Sequence, residues 1–76
     1  MALKYDVVSP IAGTITRIRF LPGGRVEEGE VLFTLDQAGK SVDILSPVSG
    51  YADGLEVEQG EVVIAGMILA AIRYID

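Results

Sequence analysis

The chain matches itself without a gap when it is shifted by 37 positions. Residues 9–35 align with residues 46–72, and seven of these 27 pairs are identical. Glycines, prolines and apolar residues all coincide, and such agreement at one fixed offset indicates an internal repeat. The identical pairs are Ser9/Ser46, Pro10/Pro47, Gly13/Gly50, Gly23/Gly60, Val26/Val63, Gly29/Gly66 and Leu32/Leu69, and apolar pairs include Ile11/Val48, Ile18/Leu55, Phe20/Val57 and Val31/Ile68.

The repeat predicts one domain with internal two-fold symmetry. Its halves cover about residues 7–36 and 44–73 of a single domain that spans residues 1–76. A segment of this length cannot cover its own apolar face, so the two halves are expected to pack against each other.

The secondary-structure signals all favour strands. Nine glycines lie at turn-like intervals, and no 3.6-residue apolar period is sustained. Lys4–Val8 gives a weak strand signal, and 14–21 gives a stronger one that Pro-Gly-Gly at 22–24 ends. We therefore expect an all-β fold, a flattened barrel or sandwich of two short antiparallel sheets. One pole would hold the turn at 38–40, and the other the chain termini near Asp76.

The segment 31–46 predicts a β-hairpin with Ala38-Gly39 as its two loop residues. Gly39 supplies the positive φ that a tight turn needs. This register places Gln37 opposite Lys40. It also pairs Leu35 with Val42 and Phe33 with Ile44, and it leaves Thr34, Asp36, Ser41 and Asp43 on the other face.

Composition excludes several kinds of site. The chain has no cysteine and no histidine, so disulfides, thiolate nucleophiles, histidine bases and the usual zinc sites are absent. A net charge of −5 disfavours nucleic acid and anionic membranes as partners. No apolar run has the length of a membrane span, and no signal-peptide pattern begins the sequence. We therefore expect a cytoplasmic location.

Two further motifs, the Gly23-Gly24 pair and the acidic residues of the two halves, do not indicate a binding or catalytic site. Gly23-Gly24 lacks the pattern of a phosphate-binding loop, because neither GxxxxGK[ST] nor GxGxxG occurs there. Paired acidic residues can bind a cation or transfer protons, but here they lie in polar turn contexts and predict a solvated rim. Arg17, Arg19 and Arg25 either pair with these carboxylates or contact an acidic partner. The acidic residues are Glu27, Glu28 and Glu30 with Glu56, Glu58 and Glu61.

The spacing of the repeated residues resembles biotinyl/lipoyl carrier domains. The first half shows Ser9-Pro10-Ile11-Ala12-Gly13 followed by Gly23, Val26, Gly29 and Leu32. The second half shows Ser46-Pro47-Val48-Ser49-Gly50 followed by Gly60, Val63, Gly66 and Leu69. The resemblance covers about residues 7–72, and it implies a flattened β-barrel with internal two-fold symmetry (a barrel-sandwich hybrid).

The resemblance also implies a lysine at the hairpin tip, joined to biotin or lipoate. Counted back from Pro47, the position of the family's lysine falls at Gly39, and the lysine of this chain comes one residue later, at Lys40. Neither of the methionines that flank the lysine in biotinyl members is present. A loop of three or four residues would turn Lys40 outward; a two-residue loop leaves it on the strand. Lys40 is the candidate attachment residue.

Two functions follow from the resemblance. The first is a small non-catalytic carrier that holds biotin, or less readily lipoate, on Lys40 and moves it between active sites. Its partners would be a biotin or lipoate ligase and the subunits of an enzyme complex. The alternative is an unmodified barrel that acts as a protein-binding or scaffolding module. Self-association is also open, because residues 62–64 and 67–75 are unusually apolar, although strand core is the preferred interpretation of those segments.

Overall fold

The fold is entirely β within the part of the chain that the structure describes. The structure, a computed structural model, describes residues 2–75; Met1 and Asp76, near which the second pole was expected, lie outside this range. No helix that could cross a membrane occurs among the described residues. The expected all-β class is confirmed. The strands are β1 Ala2–Val8, β2 Gly13–Ile18, β3 Arg25–Val26, β4 Val31–Gln37, β5 Lys40–Leu45, β6 Gly50–Leu55, β7 Val62–Val63 and β8 Ile68–Ile75.

The eight strands form two antiparallel four-stranded sheets that are copies of one arrangement. One sheet has the order β1-β8-β6-β3 and the other β5-β4-β2-β7. Adding or subtracting 37 converts each strand of the first sheet, within one residue at its ends, into the strand at the same place in the second. The internal two-fold relation therefore exchanges the two sheets, and each half of the sequence contributes strands to both.

Backbone hydrogen bonds in the connections follow the same relation. The amide of Ser9 donates to the carbonyl oxygen of Met67 at 2.9 Å, and the amide of Ser46 donates to that of Glu30 at 2.7 Å. Each bond ties the end of one half to a turn in the other half. The two halves are thus joined by hydrogen bonds as well as by apolar packing.

The core lies between the two sheets. Phe33 is its largest fully buried side chain, and the Phe33 and Phe20 rings pack nearly perpendicular to each other with centroids 5.4 Å apart. Phe33 and Leu35 of β4 point into this layer on either side of Thr34, as the two-residue period of a strand requires, whereas residues 69–72 of β8 are all buried. The buried apolar residues that pack together in this core are Val7, Ile15, Val26, Leu32, Phe33, Leu35, Ile44, Ala52, Val57, Val63, Leu69, Ala70 and Ile72.

The strand expected over 14–21 is shorter than its sequence suggests. It ends at Ile18, although the Arg19 amide still donates to the Leu32 carbonyl at 2.8 Å. The pairing of β2 with β4 also shifts between Ile15 and Arg17, so that Thr16 is bulged. This bulge explains why the segment alternates only partly: one extra residue reverses the inward and outward positions beyond it.

Candidate functional site

The hairpin formed by β4 and β5 has the predicted register. Gln37 pairs with Lys40 and Leu35 pairs with Val42. Phe33 pairs with Ile44 as well, and both side chains are buried. The alternation of apolar and polar residues sets this register, because a slip of one position would expose the whole apolar face.

Ala38 and Gly39 form the tip of the hairpin. Both residues have positive φ, 51° for Ala38 and 85° for Gly39, which is the geometry of a two-residue turn whose twist matches the strands it joins. The positive φ expected of Gly39 is confirmed. That of Ala38 was not expected, because alanine has no sequence preference for this conformation. The longer loop considered for turning Lys40 outward does not form.

Lys40 is the first residue of β5, directly after the tip. It is exposed, and it shares the side of the strand occupied by Val42 and Ile44, whose side chains point toward the core. Its stem therefore leaves over the end of the barrel rather than over the outer face of the sheet. Gly39, not Lys40, holds the second position of the turn.

The side-chain amino group of Lys40 is accessible to solvent. Within residues 2–75 the ion pairs join Lys4 to Asp53 at 3.9 Å and Arg25 to Glu27 at 2.9 Å, and neither involves Lys40. In its neutral form, a primary amine on a flexible four-carbon stem is the nucleophile that forms an amide by attacking an activated acyl group of a prosthetic group and displacing its leaving group. The residues at the tip are therefore compatible with attachment of such a group.

The strands beneath the tip are held by core packing and by side-chain hydrogen bonds. Leu35 and Ile44 anchor the inner face of the hairpin in the core. On the outer face the Thr34 hydroxyl donates to an Asp43 carboxylate oxygen at 3.0 Å, and the Thr16 hydroxyl donates to the Thr34 carbonyl at 2.9 Å. These contacts fix the strands, so that motion at the site is left to the lysine side chain.

The carboxylates of Glu30 and Glu61 accept hydrogen bonds from backbone amides in their own turns. The Glu27 amide donates to the Glu30 carboxylate at 3.0 Å, and the Glu58 amide donates to the Glu61 carboxylate at 3.1 Å. The Arg25 guanidinium donates to Glu27, and this bond holds the pKa of the Glu27 carboxyl below its ordinary value and raises the pKa of Arg25. Of the two alternatives for the arginines, Arg25 therefore makes the internal ion pair. Within residues 2–75, no group of three or more acidic side chains is arranged to hold a metal ion.

Comparison with known proteins places this geometry in a family. The family described as "RND MFP, barrel-sandwich hybrid domain" matches residues 3–73. The biotin carboxyl carrier protein of acetyl-CoA carboxylase from Solanum lycopersicum is 30% identical over 67 residues, which are 88% of this chain and 96% of that protein. The mitochondrial methylcrotonoyl-CoA carboxylase subunit alpha of Oryza sativa subsp. japonica is 27% identical over 70 residues, 92% of this chain.

The chain spans only 10% of that methylcrotonoyl-CoA carboxylase subunit. Among solved structures, a single-chain, multi-domain long-chain acyl-CoA carboxylase superposes with a TM-score of 0.88 at 20% identity, over 96% of this chain and 7% of that one, which supports the fold alone. The repeat, the paired sheets and the full-length carrier relative agree. The chain belongs to the biotinyl/lipoyl carrier-domain family and has a barrel-sandwich hybrid fold.

Proposed function

We propose that the protein is a non-catalytic carrier module that holds biotin in amide linkage on Lys40. The observation that carries this proposal is an exposed lysine beside the tip of a rigid hairpin, outside the ion pairs of the described residues. The carrier relative from Solanum lycopersicum, matched along nearly its whole length, supports biotin over lipoate.

Each part of the hairpin has a task in this function. The buried residues Phe33, Leu35 and Ile44 keep the barrel fixed, so that binding a partner does not require ordering the domain. The tight turn keeps the tip narrow enough to enter a cleft. Lys40 holds the prosthetic group and supplies the rotatable bonds that move it. When bound, biotin would supply the position that carries a transferred carboxyl group.

The proposal includes the partners and the location. A biotin ligase would form the amide on Lys40, and the subunits of a carboxylase-type complex would receive the loaded hairpin. We place the protein in the cytoplasm. Self-association is not needed for this function, since one domain presents one tip.

Intact-mass measurement after co-expression with a biotin ligase tests the proposal. We expect one biotin adduct on the wild-type protein and none on Lys40→Arg, which keeps the charge but removes the primary amine. A parallel expression with a lipoate ligase is expected to give no adduct. A folded wild-type protein that stays unmodified with both ligases would instead indicate the unmodified binding module.

A second variant tests the position of the lysine, and its urea unfolding is measured in parallel because a side chain at position 39, where φ is 85°, strains the turn. Gly39→Lys combined with Lys40→Gln moves the lysine to the second position of the turn, where the family has it. We expect biotin loading of this variant at a rate equal to or above that of the wild type, because the amine then projects from the tip. Loading of this variant alone would show that the offset of one residue prevents modification of the natural chain.

A further inference from the structure

Each half of the chain contains the same turn, but the exposed residues of this turn are charged in the first half and apolar in the second. Residues 25–30 read RVEEGE, and residues 62–67, at equivalent positions, read VVIAGM. Each outward-facing charged residue of the first segment, here called the charged turn, is replaced by an apolar residue in the second, here called the apolar turn. Only the buried valine and the glycine are shared, Val26 with Val63 and Gly29 with Gly66.

The backbone of the two turns is the same. The Glu30 amide donates to the Glu27 carbonyl at 3.0 Å, and the Met67 amide donates to the Ile64 carbonyl at 3.2 Å. The following connection is also repeated: the amides of Gly29 and Gly66 each donate at 2.8 Å to the serine carbonyl of the opposite half. The φ angles of these glycines are 86° and 90°.

The fold does not require the apolar turn to be apolar. Val62 is 71% exposed and Ile64 is 65% exposed, so neither contributes a filled place in the core. Ala65 is exposed as well. The charged turn shows that arginine and glutamate serve equally well at the equivalent places, with the added benefit of an ion pair. The exposed apolar side chains of Val62, Ile64 and Ala65 are therefore not used by the fold and are accessible to a partner.

The apolar turn lies at the same end of the same sheet as the hairpin tip. Val62 pairs with Thr14, Thr14 pairs with Asp36, and Asp36 pairs with Ser41. These four residues form one row across β7, β2, β4 and β5, one residue short of the pair formed by Gln37 and Lys40. At the usual spacing of strands, β7 lies roughly 14 Å from β5.

We propose that the apolar turn is a second docking point for the protein that receives the Lys40 hairpin. This inference rests on the proposed function, because it takes the hairpin as the element that the partner receives. A partner that receives the Lys40 side chain over the end of the barrel and extends onto the outer face of this sheet also meets Val62 and Ile64. Between the two contacts it meets Asp36, so the partner surface is an apolar pocket bordered by basic side chains.

The size of the patch favours such a partner over a second copy of this chain. Two exposed branched side chains and their small neighbours cover far less than the ~800 Å² that each partner buries in a standard interface. A pairing of two such patches alone would therefore be weak. As an addition to the contact made by the hairpin, the same patch fixes the orientation of the tip.

Site-specific photo-crosslinking in cells of the source organism tests the proposal. A photo-crosslinking amino acid is placed at position 64 in the apolar turn, at position 41 on the hairpin, or at position 21. Leu21 is the matched control, because it is 79% exposed but follows β2 at the end away from the tip. We expect positions 64 and 41 to capture the same protein, identified by mass spectrometry as a biotin-dependent carboxylase subunit, and position 21 not to capture it.

Replacing two residues of the apolar turn by their counterparts in the charged turn measures how much the apolar turn contributes to partner capture. Val62→Arg with Ile64→Glu copies the charged turn, so the variant is expected to fold with an unchanged unfolding midpoint. Capture at position 41 is expected to fall at least fivefold in this variant and to stay unchanged in Leu21→Glu. Capture from position 64 of a second copy, of a different protein, or of nothing would overturn the proposal, as would equal capture at position 21.

Biotin attachment is measured independently of crosslinking, from the intact mass of the protein isolated from the same cells. A biotinylated protein without capture at position 64 would reject the apolar turn as a docking point and leave the carrier function standing. An unmodified protein that captures one common partner at positions 64 and 41, other than a carboxylase subunit, would reject both the carrier function and the partner class inferred here.

Discussion

Ser9 and Ser46, which occupy equivalent positions directly after β1 and β5, make the same side-chain hydrogen bond. Each hydroxyl donates at 2.7 Å to the carbonyl oxygen two residues later, that of Ile11 or Val48. Both serines are buried, and each precedes a proline, which has no amide hydrogen to donate. The side-chain bond therefore satisfies a carbonyl at a place where the backbone offers fewer donors.

We expect Ser9→Ala and Ser46→Ala each to lower the free energy of unfolding by about 1–2 kcal/mol, because a partly buried carbonyl loses its donor. Urea unfolding of the single variants provides the measurement. Thr16→Ala is the control: it removes a bond of similar length, 2.9 Å to Thr34, at an exposed site, and about 0.5 kcal/mol or less is expected. Equal losses at all three positions would contradict the role given to burial.

Ala38→Asn is expected to stabilise the hairpin by about 0.5–1 kcal/mol, because Asn-Gly is the preferred sequence for a two-residue turn with positive φ at both positions. Ala38 now adopts a φ of 51° at the cost that a Cβ imposes there. A higher urea midpoint with an unchanged denaturant slope would confirm the effect. A lower midpoint would show that the turn has another geometry.

Gly50→Ala is expected to destabilise the fold by about 2–3 kcal/mol, because the added Cβ would overlap the Arg73 carbonyl oxygen and lie 2.9 Å from the Ile72 Cγ2 atom. Gly54→Ala is the comparison. Its φ of 81° strains any side chain, but no atom lies within 4 Å of the new Cβ, so about 1 kcal/mol is expected. The difference in unfolding free energy between the two variants measures the steric part.

The ion pair of the charged turn predicts a pH dependence. Hydrogen bonds from Arg25 and Ser49, together with the charge of Arg25, hold the pKa of Glu27 below its ordinary value of 4.5. A depressed pKa in the folded state means that this stabilisation is fully present above pH 4.5 and is lost as the pH falls through the folded value.

Glu27→Gln is therefore expected to reduce the acid-induced loss of stability below pH 4.5, measured as the urea midpoint from pH 7 to pH 3. The effect is small because the pair is exposed to solvent. Glu56→Gln, at an exposed position outside this ion pair, serves as the control. Parallel pH profiles of wild type and Glu27→Gln would contradict the assignment.

The hairpin was predictable in detail because its signals are local. Alternating residues and one glycine determine the pairing of Leu35 with Val42 and that of Gln37 with Lys40. The two-sheet class was predictable from the repeat, since equal glycine spacing requires equal turns. The candidate residue Lys40 followed from the resemblance, and its modification stays a prediction.

Other features depend on tertiary contacts that no short pattern reveals. The strands β3 and β7 have only two residues each, because the chain pairs briefly as it crosses between sheets. The apolar segments 62–64 and 67–75 contain both buried and exposed residues, and their composition does not tell the two apart. Residues 69–72 of β8 are buried, as the core interpretation of 67–75 expects, whereas Val62, Ile64 and Ile68 are exposed and the same interpretation is wrong for them. For Val62 and Ile64, the sequence signal of exposure is that the equivalent residues of the first half, Arg25 and Glu27, are charged.

The pairing of β1 with β8 has a consequence for how the chain can be cut and rejoined. Ala2 pairs with Ile75 at the place equivalent to the hairpin tip. A circular permutant that joins these strands by a two-residue Asn-Gly turn and opens between Ala38 and Gly39 would retain every strand and every pairing. In that permutant the closed tip would lie at the opposite pole of the same barrel.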